Sequence, residues 1–467
     1  MSAPWMESWH LIGLGRPVIV ALLTVAVLIA VGVSRRTGAR DAHKRGARIL
    51  DGRPAQRRTA RMQQLRSEPQ LTIAGVGIAP GDEVKHFKLI GTTGTGKSTV
   101  IRELLAMALD RGDRAVITDP DGGYLASLYD AGRGDVILNP FDARSVQWDP
   151  FAEVRQPYDA EQLASSLIPS TEDASAREWR GYARTFLTAV VRRCQEMGHP
   201  DAAELWRLIA MAPTAELRPI VAGTPAQPFL EPENARMFGS IRSVAGSAAA
   251  ALEYVQAQRA RAFSVRDFIE SGRGALFLPY QASQIAALRT IIATWARLAI
   301  FQTMSCPGVG RRLWLAVDEL DALGAIDGLK DALARLRKFG GCCVLGFQSL
   351  AQVSSTYGAG DAQTIVENCG NTLIFRCSAS EHGGTSQFAS RLIGEREVAR
   401  RTITRGRDSG GSPWSCGWRR STNVGEQRIT EPAVLPAELE QLPDLTGYLK
   451  TACSAAWLRV RVRPRCH

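Results

Sequence analysis

Metal-ligand patterns and lysines are scarce in this chain of 467 residues. None of the nine cysteines forms a C-x-x-C pair or another metal-ligand spacing, and the chain is far longer than a disulfide scaffold. The cysteines are therefore interpreted as reduced thiols. Hydrophobic residues make up 45% of the sequence, which excludes a disordered protein and suffices to fill two or three folded units.

The positive charge lies mostly near the N-terminus. The formal net charge is +11, but residues 34–61 alone contain ten arginines and lysines against two aspartates. The rest of the chain is close to neutral, so its composition does not by itself indicate nucleic-acid binding. Anionic lipid at a membrane surface is sufficient to account for the basic cluster.

Long apolar runs are also rare, and residues 17–33 form the one convincing membrane span. As a helix these residues reach roughly 26 Å, which is just enough for a thin bilayer. The alternative is a cleaved signal peptide, but such a peptide carries its basic flank before the apolar run, whereas here the basic cluster follows it. The positive-inside rule then places the chain after residue 34 in the cytoplasm.

Strand and helix patterns alternate in two parts of the chain, which predicts a parallel α/β sheet. In the first part, the pattern predicts a strand at residues 84–90, a glycine-rich turn at 91–96, a helix at 98–110 and a second strand at 115–118. In the second part, helical segments separate four further strand patterns at residues 275–278, 313–317, 343–347 and 372–375.

The remaining segments have other patterns. Strand patterns disappear between residues 151 and 258, which predicts an all-helical insertion, and residues 405–425 predict a flexible hairpin or loop. We therefore predict a stub with a transmembrane helix at residues 1–34 and a basic juxtamembrane connector with one polar helix at 35–75. The first part of an α/β domain follows at 76–150, an all-α domain at 151–258 and the second part of the α/β domain at 259–467.

Residues 91–98, with the sequence GTTGTGKS, match the phosphate-loop pattern. The glycines allow backbone N–H groups to surround phosphate oxygens at a helix N-terminus, where Lys97 reaches the β- and γ-phosphates and Ser98 binds Mg²⁺. The alternative is a glycine turn without a ligand, but only seven lysines occur in the chain, so a chance lysine here is rare. The predicted nucleotide contacts are Gly91, Thr92, Thr93, Gly94, Thr95, Gly96, Lys97, Ser98 and Thr99.

Two acids follow the apolar strand pattern at 313–317. This is the Walker B arrangement, in which Asp318 orders the Mg²⁺ shell and Glu319 polarises the attacking water. An ordinary acidic turn at a strand end is the alternative, but the phosphate loop upstream argues against it.

Two further candidates are weaker. Gln348 follows the strand pattern at 343–347 and is interpreted either as a group that senses the γ-phosphate or as a surface glutamine. A predicted helix before that strand carries Arg335, Arg337 and Lys338, and an arginine of this helix either completes a neighbouring subunit's site or is simply solvated.

Seven segments share their order and setting with one known family. They are HFKLIGTTGTGKS (86–98), DPDG (119–122), LNPFD (138–142), RRLWLAVDEL (311–320), GFQS (346–349), GERE (394–397) and LPAELEQLPDLTGY (435–448). They resemble the TraD/TrwB-like type IV coupling proteins of bacterial conjugation over about residues 84–450. The late LPDLTGY element is more specific than the nucleotide motifs, which many ATPases share.

The resemblance implies a RecA-like P-loop nucleotide-binding domain interrupted by an all-α domain, assembled as a homo-hexameric ring around a DNA channel. It implies ATP and Mg²⁺ as cofactors, with single-stranded DNA, a relaxase or relaxosome and the type IV secretion channel proteins as partners at the bacterial inner membrane. The implied activity is ATP-driven transfer of a relaxase-bound DNA strand into that channel. Carried over by position, the resemblance implies that Lys97 and Ser98 are the phosphate-loop residues and that Asp318 and Glu319 are the Walker B acids. It also implies that Gln348 senses the γ-phosphate and that Arg337 is the arginine finger that acts in trans.

The sequence departs from the family in two places. Family members commonly carry two membrane helices, and some have a long acidic C-terminal extension, whereas one span is found here and the chain ends in several arginines. Contacts made through those segments are therefore not implied. Three other functions stay open: a double-strand DNA pump of the FtsK/HerA type, a nucleotide-switched membrane scaffold and a secretion ATPase that threads protein.

Overall fold

The computed structural model describes residues 42–65, 70–171, 173–198, 201–306, 312–380, 383–409 and 418–463. The predicted transmembrane run at 17–33 lies outside these residues. Among the described residues, one helix, Ile285–Ser305, is long and apolar enough to cross a membrane by length and composition alone. Because 61% of its apolar window is buried inside the protein, it has the character of a core helix.

The strands are, in chain order, β1 Ala42–Gly46, β2 Ile49–Asp51, β3 Thr72–Ile73, β4 Val76–Gly77, β5 Phe87–Ile90, β6 Arg114–Pro120, β7 Val136–Ile137, β8 Gln147–Trp148, β9 Ala262–Phe263, β10 Ala275–Tyr280, β11 Leu313–Val317, β12 Gly341–Phe347, β13 Asn371–Ile374, β14 Glu395–Ser409, β15 Trp418–Pro432, β16 Thr446–Lys450 and β17 Trp457–Arg461.

The α-helices are α1 Arg53–Leu65, α2 Pro80–Glu83, α3 Lys97–Asp110, α4 Gly123–Leu128, α5 Asp159–Leu167, α6 Ala174–Glu196, α7 Ala202–Ala210, α8 Thr214–Val221, α9 Ala235–Ala249, α10 Leu252–Ala257, α11 Val265–Ser271, α12 Ile285–Ser305, α13 Leu329–Arg335, α14 Leu350–Tyr357, α15 Ala359–Asn368, α16 Gly384–Ile393 and α17 Pro436–Glu440. The 3₁₀ helices are Ala131–Arg133, Gln227–Leu230, Pro232–Asn234 and Leu336–Phe339.

A ten-stranded mixed sheet, with the order β2-β17-β16-β13-β5-β12-β11-β6-β10-β7, forms the centre of the larger of two compact units. The run from β13 to β7 is parallel throughout, while β16 pairs antiparallel to both β13 and β17. Every strand of the parallel run therefore ends at the same edge, which is where ligands of such sheets bind.

The central strands are apolar on both faces because helices cover both faces. Leu89 and Ile117 point to one side, where they join the cluster that contains Leu104 of α3. Leu315 points to the other side, towards Ile300 of α12. This alternation fixes the direction of each side chain at the strand ends, because successive residues of a strand point to opposite faces.

The described elements between residues 151 and 258 are all helices, and the chain enters and leaves this region side by side. β8 and β9 pair in parallel, with Trp148 opposite Phe263. The buried Glu153 carboxylate accepts hydrogen bonds from the Trp148 indole at 3.0 Å and from the backbone N–H groups of Val265 and Arg266 at 2.6 and 2.9 Å. A buried carboxylate with three donors joins the entry and exit strands at this point.

The second compact unit contains residues 42–47 and 394–433. It is an antiparallel sheet in which β14 lies between β1 and β15. β14 and β15 form the hairpin that the sequence predicts around residues 405–425, although its strands extend well beyond that range. The predicted domain boundaries do not separate this unit from 259–467, and they stay predictions.

Candidate functional site

The phosphate loop connects β5 to the N-terminus of α3. Gly94 and Gly96 adopt φ values of 78° and 113°, a region that glycine enters without strain. Glycine is also needed for space, because a Cβ on Gly91 would lie 2.8 Å from Phe375 and one on Gly96 would lie 2.8 Å from Leu445. The loop therefore requires these glycines, as the sequence predicts.

Lys97 is the first residue of α3, and only 6% of it is exposed. Its ammonium donates to the carbonyl oxygens of Gly91 at 2.7 Å and Thr92 at 3.1 Å. Burial lowers the pKa of Lys97, while the nearby Asp318 and Glu319 carboxylates oppose that change. The lysine thus lies inside the loop, held by groups that phosphate oxygens can replace.

The metal residues predicted from the sequence meet directly. The Ser98 hydroxyl donates to Asp318 Oδ2 at 2.5 Å, and the Tyr124 hydroxyl donates to the same oxygen at 2.7 Å. Asp318 Oδ1 is buried and has no hydrogen-bond partner among the described residues. β12 can approach this carboxylate because residue 346 is glycine, whose added Cβ would lie 2.8 Å from Oδ1.

These groups fit Mg²⁺. The Ser98 hydroxyl and the Asp318 carboxylate are hard oxygen ligands. Asp318 Oδ1, which has no hydrogen-bond partner among the described residues, offers a further contact to the ion or to its waters. Among the described residues there is no group of three or more His, Cys, Asp or Glu side chains that could hold a metal ion by themselves. Mg²⁺ suits such a site because it keeps several waters and shares phosphate oxygens.

Glu319 and Gln348 lie beside the loop. The Gln348 amide nitrogen is 3.5 Å from Glu319 Oε1, and the Thr93 hydroxyl donates to Gln348 Oε1 at 3.0 Å. Burial raises the pKa of Glu319, and the neighbouring Asp318 charge raises it further. A cleft of about 240 Å³ is lined by Thr93, Gly94, Gly96, Lys97, Ser98, Thr99, Asp318, Glu319, Gln348 and Leu445.

The structure does not bring Arg337 to this cleft within one chain. Arg337 is exposed in the 3₁₀ helix Leu336–Phe339, at the amino end of β12, whereas Gln348 follows the carboxyl end. Seven residues of strand separate the two ends by roughly 20 Å. The positive charge of Arg337 instead contributes to lowering the pKa of His86, the residue before β5.

Sequence reasoning missed three residues of the site. The Asp119 carboxylate accepts the N–H groups of Tyr124 and Leu125 at 2.9 and 2.6 Å, so it holds the start of α4 and places the Tyr124 hydroxyl on Asp318. Burial raises the pKa of Asp119 to about 6. The turn cluster at 119–123 was the available signal, since Tyr124 follows it directly.

Leu445 is the third missed residue. Its N–H donates to the Thr95 carbonyl at 3.0 Å, and it adopts a φ of 60°, which is unusual for leucine. Such strain persists where the surrounding structure requires it, and it is frequent beside binding sites. Leu445 lies within the LPDLTGY element, so its role could be inferred only from the family resemblance.

A phosphate loop after β5, an acid pair after β11 and a polar residue after β12, all at one edge of a parallel sheet, define a P-loop protein with a RecA-like α/β nucleotide-binding fold. Residues 70–463 match the family described as the type IV secretion-system coupling protein DNA-binding domain. The chain belongs to this family of coupling proteins, as the sequence motifs predict.

Several relatives can be compared in detail. The coupling protein TraD of Escherichia coli (strain K12) is 30% identical over 392 residues, which cover 82% of this chain but only 53% of TraD. The unbound bacterial conjugative coupling protein TrwBdeltaN70 has a TM-score of 0.79 at 32% identity, covering 92% of this chain and 96% of that one. TrwB in complex with ADP and Mg²⁺ has a TM-score of 0.77 at 31% identity, covering 92% and 95%.

Proposed function

We propose that the chain is a membrane-anchored ATPase that moves DNA and couples a relaxase-bound strand to a type IV secretion channel in conjugation. The observation that carries the proposal is the junction of Ser98, Asp318 and Glu319 at the phosphate loop of a coupling-protein family member. Solved structures of TrwB with a non-hydrolysable ATP analogue and with ADP and Mg²⁺ support ATP and Mg²⁺ as cofactors.

Each residue of the phosphate-loop cleft has a separate role in ATP hydrolysis. The Lys97 ammonium exchanges its loop carbonyls for phosphate oxygens, and Ser98 with Asp318 holds Mg²⁺, which supplies positive charge to the phosphate oxygens when it is bound. Glu319 accepts a proton from the attacking water. Gln348, held between Thr93 and Glu319, donates to the γ-phosphate or to that water.

This arrangement orients the nucleotide. The γ-phosphate must lie beside Glu319, so the nucleoside leaves the loop at the other end, past Leu445. Leu445 also lines a second, larger cleft of about 650 Å³. Four arginines line that cleft and form no ion pair with a described carboxylate: Arg53, Arg57, Arg461 and Arg463. Guanidinium planes stack on bases, so we propose that this cleft takes the base of the nucleoside.

We also propose that the chain assembles as a homo-hexameric ring, as the family resemblance implies. In such a ring Arg337, which is exposed and far from its own cleft, completes a neighbouring subunit's site and stabilises transition-state charge. A nearly neutral body is compatible with DNA translocation, because a few arginines repeated by ring symmetry make a basic channel. The apolar run at 17–33 and the basic residues after it anchor the chain in the inner membrane as a single-pass protein.

Steady-state ATP hydrolysis by the full-length protein in detergent or lipid, with and without single-stranded DNA, tests the proposal. Multiple turnovers stimulated by DNA are expected. A rate independent of DNA in assembled protein would count against a motor, and one turnover per binding cycle would indicate a scaffold switched by nucleotide. Stimulation by an unfolded protein instead of DNA would indicate a protein-threading ATPase, and translocation on double-stranded tracks alone would indicate a pump of the FtsK/HerA type.

A subunit-mixing experiment tests Arg337 separately. Lys97→Ala and Arg337→Ala each remove activity when alone, but an equal mixture pairs an intact loop with an intact arginine at about one interface in four. Recovery of roughly that share of the wild-type rate supports the role in trans. Full activity of Arg337→Ala alone would show that this arginine is only solvated.

A further inference from the structure

Residues 320–328 connect the acid pair at the end of β11 to the start of α13. The segment begins against β12, where the Leu320 N–H donates to the Gly346 carbonyl oxygen at 3.0 Å. Further along, Gly324 and Gly328 adopt φ values of 71° and 79°, which glycine enters without strain. These two glycines allow the chain between them to change direction at both of its ends, as hinge residues do.

The helix that follows Gln348 ends on this segment. α14 begins two residues after Gln348, and its last residue is Tyr357. The Tyr357 hydroxyl accepts the Ile326 N–H at 3.2 Å and donates to the Gly324 carbonyl oxygen at 3.5 Å. The two side chains that flank the predicted γ-phosphate position therefore lead to the same segment, Glu319 along the chain and Gln348 through α14.

On its other side the segment faces a buried arginine of α12. Arg297 is 6% exposed, and its Nη1 donates to the Gln162 carbonyl oxygen at 3.0 Å and to the Ser166 hydroxyl at 2.6 Å. Both acceptors belong to α5, in the all-helical insertion at 151–258. The guanidinium also lies over the Phe301 ring, 4.3 Å from its centre. Arg297 is thus fixed against the helical insertion.

The contact between Arg297 and the segment is loose. Asp327 Oδ2 lies 3.4 Å from Arg297 Nε, yet this buried nitrogen has no hydrogen-bond partner among the described residues. Burial lowers the pKa of Arg297, and the Asp327 charge opposes that change. A movement of about 0.5 Å would bring the pair to the distance of a charge-assisted hydrogen bond. The pair therefore has two accessible arrangements, one loose and one hydrogen-bonded.

We propose that the Asp327–Arg297 pair transmits the state of the nucleotide from Glu319 and Gln348 to the all-helical insertion. A change at the γ-phosphate position moves residues 320–328 about their two glycines, and the pair tightens or loosens with that movement. The inference rests on the proposed function, which places the γ-phosphate beside Glu319. Because such coupling is reciprocal, a ligand of the insertion that favours one arrangement changes the affinity for ATP by the same factor.

Hydrogen exchange of the full-length protein, with Mg²⁺ and either ADP or a non-hydrolysable ATP analogue, tests the inference. Exchange in α5 and α6 of the wild type should differ about five-fold or more between the two nucleotides. Asp327→Asn should remove this difference, because an amide does not form the charge-assisted bond. Asp327→Glu, which keeps the carboxylate, should retain it.

Two further variants sharpen the test. Asp361→Asn is the matched control, because it breaks the 2.8 Å ion pair of Asp361 with Lys330 of α13, which does not involve Arg297. Its nucleotide-dependent difference should equal that of the wild type. Arg297→Met should lose the difference as Asp327→Asn does, and it leaves no unpaired charge in the interior, so it checks the result if Asp327→Asn folds poorly.

The contrary outcomes are distinguishable. Faster exchange in both nucleotide states of Asp327→Asn, with their difference intact, would show that Asp327 only stabilises the fold and would overturn the inference. Protection of the phosphate loop by both nucleotides, with no difference in α5 and α6 of the wild type, would overturn the inference and leave the proposed function standing. Failure of both nucleotides to protect the phosphate loop would overturn the proposed function together with the inference.

Discussion

The Ser98 hydroxyl lies 2.5 Å from Asp318 Oδ2, although 220 positions separate the two residues in the chain and β12 lies between their strands. The loop that follows β5 and the acid that follows β11 therefore meet above the end of β12. Residue 346 of β12 is glycine, which leaves room for this contact.

Lys97→Ala should reduce ATP hydrolysis at least about 100-fold and abolish DNA transfer, because it removes the charge that stabilises the transferring phosphate. Hydrolysis measured with purified protein checks this. Lys330→Ala is the matched control, since Lys330 pairs with Asp361 at 2.8 Å away from the cleft and should leave the rate unchanged. Normal membrane insertion of the Lys97 variant is expected as well, because the predicted span lies elsewhere.

Glu319→Gln should lower the hydrolysis rate by about 100-fold or more while nucleotide binding is kept, because an amide cannot accept the proton of the attacking water. Burial and the Asp318 charge raise the pKa of Glu319, so its carboxylate is protonated at a higher pH than an ordinary glutamate. The wild-type rate should therefore fall on acidification before the ordinary glutamate range is reached. A pH profile of the rate, with nucleotide binding measured in parallel, separates loss of catalysis from loss of binding.

Tyr124→Phe should raise the Mg²⁺ concentration needed for half-maximal hydrolysis about ten-fold, because groups that orient a metal ligand typically matter to that extent. The change removes only the hydroxyl that donates to Asp318 Oδ2, and the ring keeps its packing. Titration of the rate with Mg²⁺ provides the measurement. A lower maximal rate with an unchanged Mg²⁺ requirement would contradict this role.

Arg57→Ala combined with Arg461→Ala should weaken ATP binding about ten-fold and leave tripolyphosphate binding within about two-fold, because only ATP has a nucleoside to occupy the arginine-lined cleft. Calorimetry with both ligands tests this expectation. Arg58→Ala is the control, since Arg58 is exposed on the same helix but does not line the cleft. Equal weakening of both ligands would show that the arginines attract charge and do not contact the nucleoside.

His86 should make the protein less stable in acid. The Cys343 N–H donates to its Nδ1 at 3.1 Å, so the ring is neutral and its Nε2–H donates to the Leu333 carbonyl at 2.8 Å. Burial lowers the pKa of His86 from 6.5 to about 4, so between these values the unfolded chain binds the proton and the folded protein does not. The free energy of unfolding should fall by up to about 3 kcal/mol as the pH drops from 7.5 to 4.

Denaturant unfolding at several pH values checks the histidine. His86→Asn should be less stable at pH 7.5, because it cannot make both ring hydrogen bonds, but it should lose less stability on acidification than the wild type. Parallel pH dependence of the two proteins would mean that other groups cause the acid sensitivity.

Local patterns predicted the elements that carry the motifs. The strand at 313–317 has the predicted bounds, and α3 begins one residue earlier than predicted, at Lys97. β12 begins at Gly341, two residues before the predicted strand at 343–347. These elements could be predicted because their apolar runs and glycine turns are contiguous in the chain.

The connector at 35–75 was only partly predictable. Its polar helix is found as α1, Arg53–Leu65, but the flanking residues form β1 and β2, which pair with β14 and β17. All five residues of β1, with the sequence AHKRG, are exposed. Such a strand has no apolar alternation, so only its distant partner strand determines that it forms.

Local sequence patterns were sufficient to predict the chemical groups that follow the strands: the phosphate loop, the acid pair and Gln348. Which other residues reach these groups depends on the tertiary structure. The fold brings the Tyr124 hydroxyl to Asp318 and Leu445 to Gly96, and it leaves Arg337 at the opposite edge of the sheet. The reason is that strand order arises from long-range pairing and packing between segments up to hundreds of residues apart, which no local pattern of residues encodes.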